Sequence, residues 1–473
     1  MVIFQSSMHL KVAFLFAALF LVQVVYFASK KYSLLLNLDY LIISSTMKPA
    51  FVIPEYLNRS SYLTKLNVVL HHIPDYLNEV NCSGVLLGNE VAISKAESWV
   101  FNTSSDWMQD VRTANDKCEK IKSLFGFADK PMSQEEEEFP LAYGLVVHHV
   151  PTQVYFMLSA IYQLQNQFCI AVDDGAKKEF KDQMDLLDEC FPNIHVKYVN
   201  KVEWFKFSVL RAVYGCVKHL TMLKSDWKYY QYLSGVDLPL KTNLEMVRIL
   251  KQLNGSFNAE VAKFQSNRLH QKNVPPPVKL WKSSLSATFS RESAEFMVRS
   301  RKVHEVYDYL KTTDCPDESF WTSIAGNPKD LPIPGGFDAH AWFDIIKQEK
   351  ADLKALPTTD APSTTPSSKL GYYISRMQTW SFGGDKCNGK FVSASCAYGV
   401  RDLPLLMAAP ELVAHKFYFD VQPATYFCAY ETVRKRALLG QDQEFTAEEY
   451  SKLPGPRIQA GDPIEDVTFL RIM

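Results

Sequence analysis

Residues 141–175 read LAYGLVVHHVPTQVYFMLSAIYQLQNQFCIAVDDG, and their periodicity decides the fold class. Leu145 to His148 is a short apolar run that predicts a buried strand. Val154, Met157, Leu158, Ile161 and Leu164 then recur at the spacing of one helical face. Phe168–Val172 returns to a strand, which stops at Asp173-Asp174-Gly175. The pattern continues downstream. Phe180, Met184 and Leu187 predict a second helix, Ile194–Val199 a third strand, and Val209, Val213, Cys216, Val217 and Leu220 a third helix. Tyr229–Leu233 is a fourth strand, ended by Ser234-Gly235. Strands alternating with helices build a mainly parallel sheet covered on both faces, an α/β fold. Ligands of such sheets bind beyond the carboxyl ends of the strands. His148, Asp173 and Asp237 fall at those ends, although a His or Asp there can equally cap backbone groups, and capping is the reading taken for Asp237.

Several nucleotide motifs are absent. No GxGxxG follows the first strand and no GxxxxGK[ST] occurs, so dinucleotide and P-loop readings lose support. No Asp-x-Asp occurs either, so a nucleotide-sugar enzyme built on this chain would have to use fixed cations where others use a divalent ion. With 51 basic and 52 acidic residues, the net charge of −1 leaves no global positive field to hold nucleic acid. The acidic run Glu135 to Glu138 reads as a solvated linker face. The aromatic content of 13% is assigned to a large core.

The run VAFLFAALFLVQVVYFA spans residues 12–28. It sits at the lower limit for a helix that crosses a bilayer. No clean small-x-small cleavage site follows, so it reads as an uncleaved signal anchor. Lys11 before it and Lys30 and Lys31 after it do not by themselves place the amino terminus in the cytosol. The downstream cysteines and sequons outweigh that count and point to a lumenal body. The expected organisation is a cytosolic tail at 1–11, the transmembrane anchor at 12–28, a stem at 29–80 and a lumenal domain at 81–473. The low-complexity stretch 357–368 reads as a surface loop. All nine cysteines follow the apolar run without the paired CxxC units of a zinc site, which favours disulfides; their odd number leaves one over. Sequons stand at Asn58, Asn81, Asn102 and Asn254, in keeping with the same compartment.

Four blocks occur in order: FPLAYGLVVHH (139–149), DWKYYQYLSGVDLPLKTN (226–243), CPDESFW (315–321) and CNGKFVSASCAYG (387–399). Together they resemble the core 2/I-branching β-1,6-N-acetylglucosaminyltransferase family over roughly residues 80–430. The resemblance implies a glycosyltransferase A-type fold and a single-pass type II Golgi membrane enzyme with its catalytic domain lumenal. It implies inverting transfer of a sugar, N-acetylglucosamine in the family, from a UDP-sugar to an O-linked glycan core. No metal or other cofactor is expected. It also implies the pairs Cys82–Cys428, Cys118–Cys190, Cys169–Cys216 and Cys387–Cys396, with Cys315 free.

The same resemblance assigns roles residue by residue. Glu318, in Cys315-Pro-Asp-Glu, would be the catalytic base; read alone, Asp317 and Glu318 would merely complement a helix dipole. Val146, Val147, His148 and Asp173 would bind the nucleotide, and Lys416 the donor diphosphate. Glu260, Arg268, Trp380 and Phe382 would face the acceptor. There are departures. Ser393 stands where the family pairs an arginine with the diphosphate lysine, and Lys390 is the cation taken as its substitute, with Arg401 the other neighbour. Phe382 replaces a tyrosine, Arg268 a lysine and Gln271 an arginine. Two further readings stay open: a related transferase with another UDP-sugar donor, and a catalytically weakened lumenal glycan-binding protein.

Overall fold

The computed structural model describes residues 56–102, 108–355 and 369–472. The tail, the 12–28 anchor, residues 29–55 of the stem and the 357–368 stretch lie outside the described residues. Among the described residues no helix is long and apolar enough to cross a membrane.

The central strands are β1 (Leu141–Val147), β2 (Gln167–Asp173), β3 (Ile194–Val199) and β4 (Tyr229–Ser234). They are followed by β5 (Asp237–Pro239), the short antiparallel pair β6 (Ala262–Lys263) and β7 (Trp281–Lys282), and β8 (Thr288–Ser290). The main sheet has the order β3-β2-β1-β4-β8. Its first four strands are parallel, and β8 closes the edge antiparallel, Tyr229 facing Ser290. Helices Pro151–Ile161, Lys178–Cys190 and Phe207–Met222 make the crossovers. This is the mainly parallel α/β sheet that the alternating pattern implies.

Strand alternation sorts the core into two layers. Tyr143, Leu145, Val147, Phe168, Ile170 and Val172 pack on one face. Ala142, Cys169, Ala171, Tyr230 and Tyr232 pack on the other, against Val213, Val217, Phe289 and Trp321. Gly144 is required by closeness: a Cβ there would sit 2.2 Å from the Tyr230 hydroxyl. Much of the aromatic content is core, with Trp227, Trp321, Tyr76, Tyr143, Tyr214 and Phe125 among the fully buried side chains.

Two boundaries differ from the sequence reading. Residues 56–80 belong to the body and not to a stem. The Arg59–His71 helix buries Tyr62, Leu66, Val69 and Leu70, and Tyr76 packs against Trp99 and Phe427. Its apolar residues find partners on the Lys117–Phe125 and Ala424–Leu438 helices, outside the segment itself, so an isolated reading of 29–80 could not place them. The acidic run is also not a uniformly solvated face. Glu136 is buried and accepts a 2.9 Å hydrogen bond from Asn243 Nδ2, and burial raises its pKa, while Glu135 pairs with Arg248 and Lys251.

The carboxyl-terminal third adds β9 (Lys369–Gly371), β10 (Met377–Gln378), β11 (Lys390–Val392), β12 (Ser395–Ala397), β13 (Val413–His415) and β14 (Leu470–Ile472). β14 pairs with β9, and β11 forms a hairpin with β12. β13 lies between β10 and β5, so this small sheet is continuous in chain with the end of β4. Disulfides join Cys82 to Cys428, Cys118 to Cys190, Cys169 to Cys216 and Cys387 to Cys396; Cys315 is free and buried. Asn58, Asn81, Asn102 and Asn254 are all exposed.

Candidate active site

Parallel pairing brings the ends of β1, β2 and β4 to one edge. Val146 is opposite Ala171 on one side and Ser234 on the other, and Val147 is opposite Val172. His148 follows directly, its ring tilted 45° against that of His149 with centroids 4.0 Å apart. Burial lowers the His148 pKa, and the charge of Asp173 opposes that fall. Asp173 itself accepts a 2.7 Å bond from the Gly175 N–H, which turns the chain after β2. Beyond β3, Trp204 is 76% exposed and meets Phe205 edge-to-face at 4.2 Å.

The turn carrying Glu318 is tied to this edge. Cys315 has φ 45° and donates its N–H to the Phe205 carbonyl at 3.0 Å. Pro316–Glu318 then forms one 3₁₀ turn leading into the Phe320–Ala325 helix. The Glu318 carboxylate, about a quarter exposed, receives Arg268 Nη2 at 2.7 Å, and Lys282 Nζ stands 3.7 Å away. The Ser283 N–H donates to the Glu318 carbonyl at 2.7 Å, so β7 holds the turn from behind. Asp317 points inward. Burial, then the charge of Glu318, pushes its pKa up to about 7. Burial pushes the Cys315 thiol up to about 12, which makes it a poor nucleophile.

On the β13 side, Asp237 is fully buried. It accepts Ser234 N–H at 2.7 Å, Ser234 Oγ at 2.9 Å and His415 Nδ1 at 2.6 Å. Burial raises its pKa, but His415 and Arg376 outweigh that and the net direction is down. Capping is thus part of what Asp237 does, and it also fixes His415, the neighbour of Lys416. The Lys416 ammonium is buried and donates to the Val392 carbonyl at 2.8 Å. Burial, then the charge of Arg376, lowers its pKa.

Glu260 is held through its backbone, its carbonyl accepting Thr322 Oγ1 at 2.6 Å from the helix that follows Glu318. Trp380 and Phe382 stack at 5.4 Å with a 19° angle between rings, and Phe382 is 78% exposed. Main-chain pairing of Trp380 with Ser395 fastens this platform to the disulfide-braced hairpin. Among the described residues, the group of Cys387, Cys396 and Asp402 has metal-ligand spacing. Its two cysteines are joined to each other, so they offer no thiolates.

A family described as Core-2/I-Branching enzyme matches residues 141–345. That span contains the strand ends, Glu260, Arg268 and the Glu318 turn. The chain is 28% identical over 396 residues to human "Beta-1,3-galactosyl-O-glycosyl-glycoprotein beta-1,6-N-acetylglucosaminyltransferase", covering 76% of this chain and 86% of that one. Residues 141–345 form a core-2/I-branching enzyme domain. The human relative numbered 3 is 27% identical over 403 residues, 77% of this chain and 84% of its own. The mouse relative numbered 4 is 29% identical over 386 residues, 76% and 80% respectively. These matches cover more of the chain than residues 141–345, and the chain is a glycosyltransferase similar to these enzymes.

The structure gathers Val146, Val147, His148 and Asp173 at one sheet edge. It brings Arg268 onto Glu318 itself, where the resemblance assigned it to the acceptor. Lys390 is exposed on β11, while Lys416 reaches the backbone of the same strand. Arg401 is held on the surface by Glu90 and Glu97, which occupies its charge elsewhere. Three residues escaped the sequence reading: Lys282, Trp204 and Arg376. A lone basic residue or an exposed aromatic carries no signal in a sequence of ordinary composition; only burial and neighbours single them out.

Proposed function

We propose that this chain moves a sugar, N-acetylglucosamine, from a UDP-sugar to a hydroxyl of an O-linked glycan core, forming a β-1,6 branch with inversion. It works in the lumen of the Golgi on a glycosyltransferase A-type fold, held as a single-pass type II membrane protein by residues 12–28. The observation that carries the reading is the Glu318 carboxylate, clamped by Arg268 and Lys282 on a turn at the open edge of the sheet. In the reaction Glu318 takes the proton of the acceptor hydroxyl as its oxygen attacks the anomeric carbon. The bond from that carbon to the diphosphate breaks, and its electron pair leaves with UDP. One base suffices, because the leaving diphosphate departs as an anion and needs no strong acid.

Val146, Val147, His148, Asp173 and the open face of Trp204 are positioned to receive the nucleoside. Lys416 is positioned to meet the charge that develops on the leaving group. Glu260, Arg268 and the Trp380–Phe382 platform take the acceptor glycan, with Arg268 sharing its guanidinium between sugar and base. The printed names of the relatives describe a β-1,3-galactosyl O-glycan on a glycoprotein as acceptor, which supports the same choice here. With no Asp-x-Asp in the chain, transfer proceeds without a divalent ion.

The test is transfer by the purified full-length chain from a panel of UDP-sugars to such a glycan, with Glu318→Gln alongside. Loss of a general base lowers the rate by about 10²–10⁴-fold. UDP binding is expected to stay near wild type. Transfer by Glu318→Gln at the wild-type rate removes this residue from the mechanism, and no transfer from any donor by the wild-type chain favours the glycan-binding reading that Ser393 raised.

A further inference from the structure

Arg376 stands just before β10, whose partner β13 leads into Lys416, since Met377 is paired with Ala414 and Gln378 with His415. It is only 7% exposed. No carboxylate lies within ion-pair distance of it among the described residues. Its hydrogen bonds go to neutral oxygens: Nη2 to Gln378 Oε1 at 3.1 Å and to Ser284 Oγ at 3.4 Å. Its Nε is buried with no partner. A guanidinium taken out of water without a counter-ion is costly, and a fold keeps one where something else supplies the negative charge.

The surroundings narrow what that is. Arg376 acts electrostatically on Lys416 and His415, whose pKa values it lowers after burial does, and on Asp237 and Asp317. Its bond to Ser284, beside the Ser283 that donates to the Glu318 carbonyl, and its bond to Gln378, which is paired with His415, put it between the Glu318 turn and the Lys416 side of the site. Asp237 cannot serve as its private partner, because its oxygens already hold Ser234 and His415. Lys416 is likewise buried and bonded to a carbonyl. The carboxylates near these two buried cations are Asp237, whose oxygens are committed, and Asp317, which burial keeps protonated up to about pH 7, so below that pH the region carries uncompensated positive charge. A ligand with a single charge leaves part of it unmatched; a diphosphate matches both.

We infer that Arg376 is the second cation that binds the donor diphosphate, acting together with Lys416 where Ser393 brings no charge and Lys390 faces solvent. This rests on the UDP-sugar reading above. A fork of N–H donors can grip two phosphate oxygens at once, as an ammonium cannot. Arg376 is then a determinant of donor affinity and of leaving-group departure, while Glu318 remains the base.

The experiment compares binding of UDP, by calorimetry, with binding of uridine, by ligand-observed NMR, to the purified full-length chain. In the wild type UDP binds far more tightly than uridine; equal affinities would overturn the nucleotide-diphosphate reading itself. Given that preference, Arg376→Gln is expected to weaken UDP about tenfold to a hundredfold, the size of a lost charged hydrogen bond, with uridine unchanged. Lys390→Ala is expected to keep the wild-type ratio. Arg376→Lys retains the charge that the fold accommodates and provides a second reading, with a UDP-to-uridine ratio lowered several-fold through loss of the fork. A wild-type ratio in Arg376→Lys, or in a folded Arg376→Gln, overturns the inference. So does a ratio that falls in Lys390→Ala and not in the Arg376 variants.

Discussion

Asp317 offers a pH measurement whose size follows from its position. Its carboxyl is turned into the protein beside Glu318, and burial with that neighbouring charge raises its pKa from 3.8 to about 7. The folded protein therefore keeps a proton that the unfolded chain releases near pH 4. Between these values the native state binds more protons, so this group's contribution falls as pH rises and is fully lost above about 7. At 1.36 kcal/mol per unit the rise corresponds to about 4 kcal/mol. Asn mimics the protonated acid and carries no charge. Asp317→Asn is thus expected to match the wild type near pH 4 and to exceed it by up to about 4 kcal/mol at pH 8. Urea unfolding followed by tryptophan fluorescence, disulfides intact, measures the gap at each pH. Adding Glu318→Gln to both proteins should shrink the gap, since one source of the shift is removed. A gap that stays flat from pH 4 to 8 would refute the reasoning and mean that Asp317 is ionised in the native protein.

Other expectations can be checked separately. Transfer is expected to persist in excess EDTA; strict dependence on manganese or magnesium would show that cations of the chain do not replace an ion. Lys416→Met should lower turnover more than it raises the KM for acceptor, because the ammonium meets charge that grows in the transition state; equal loss for donor and acceptor binding would argue for a structural role. Arg268→Ala leaves Glu318 with Lys282 alone at 3.7 Å; acceptor KM should rise with UDP affinity unchanged, and an altered UDP affinity speaks against the acceptor-side placement. Replacing Cys82 and Cys428 by serine should cost about 2–5 kcal/mol in stability, read from the same urea titration.

The parallel sheet was legible because its strands are continuous apolar runs and its crossover helices carry apolar residues at helical spacing. β8 was not. Three residues, Thr288-Phe-Ser290, form a strand only because β4 offers an edge to pair with. The helices of 56–80 were hidden for a similar reason, since their burial depends on Phe427 and its neighbours hundreds of residues away. In the site, strand ends placed His148 and Asp173, whereas Glu318 was recognisable only through the resemblance of its Cys-Pro-Asp-Glu block. Arg268 was assigned to the sugar because a sequence cannot show a 2.7 Å contact with the base. Arg376 was invisible altogether: what marks it is a missing counter-ion, and absence of a neighbour is a three-dimensional fact.

The bridge between Cys82 and Cys428 spans 346 positions of chain. A ribosome adding about 5–20 residues per second delivers the second cysteine roughly 20–70 s after the first. For all that interval Cys82 is a thiol without its mate, while Cys118, Cys169, Cys190 and Cys216 emerge behind it. Closure of the body is therefore an event of the finished chain. A message cut short anywhere before residue 428 yields a protein whose Cys82 has no mate and is open to mispairing. The bridge acts as a proofreader of length, sealing only those chains that were translated nearly to the end.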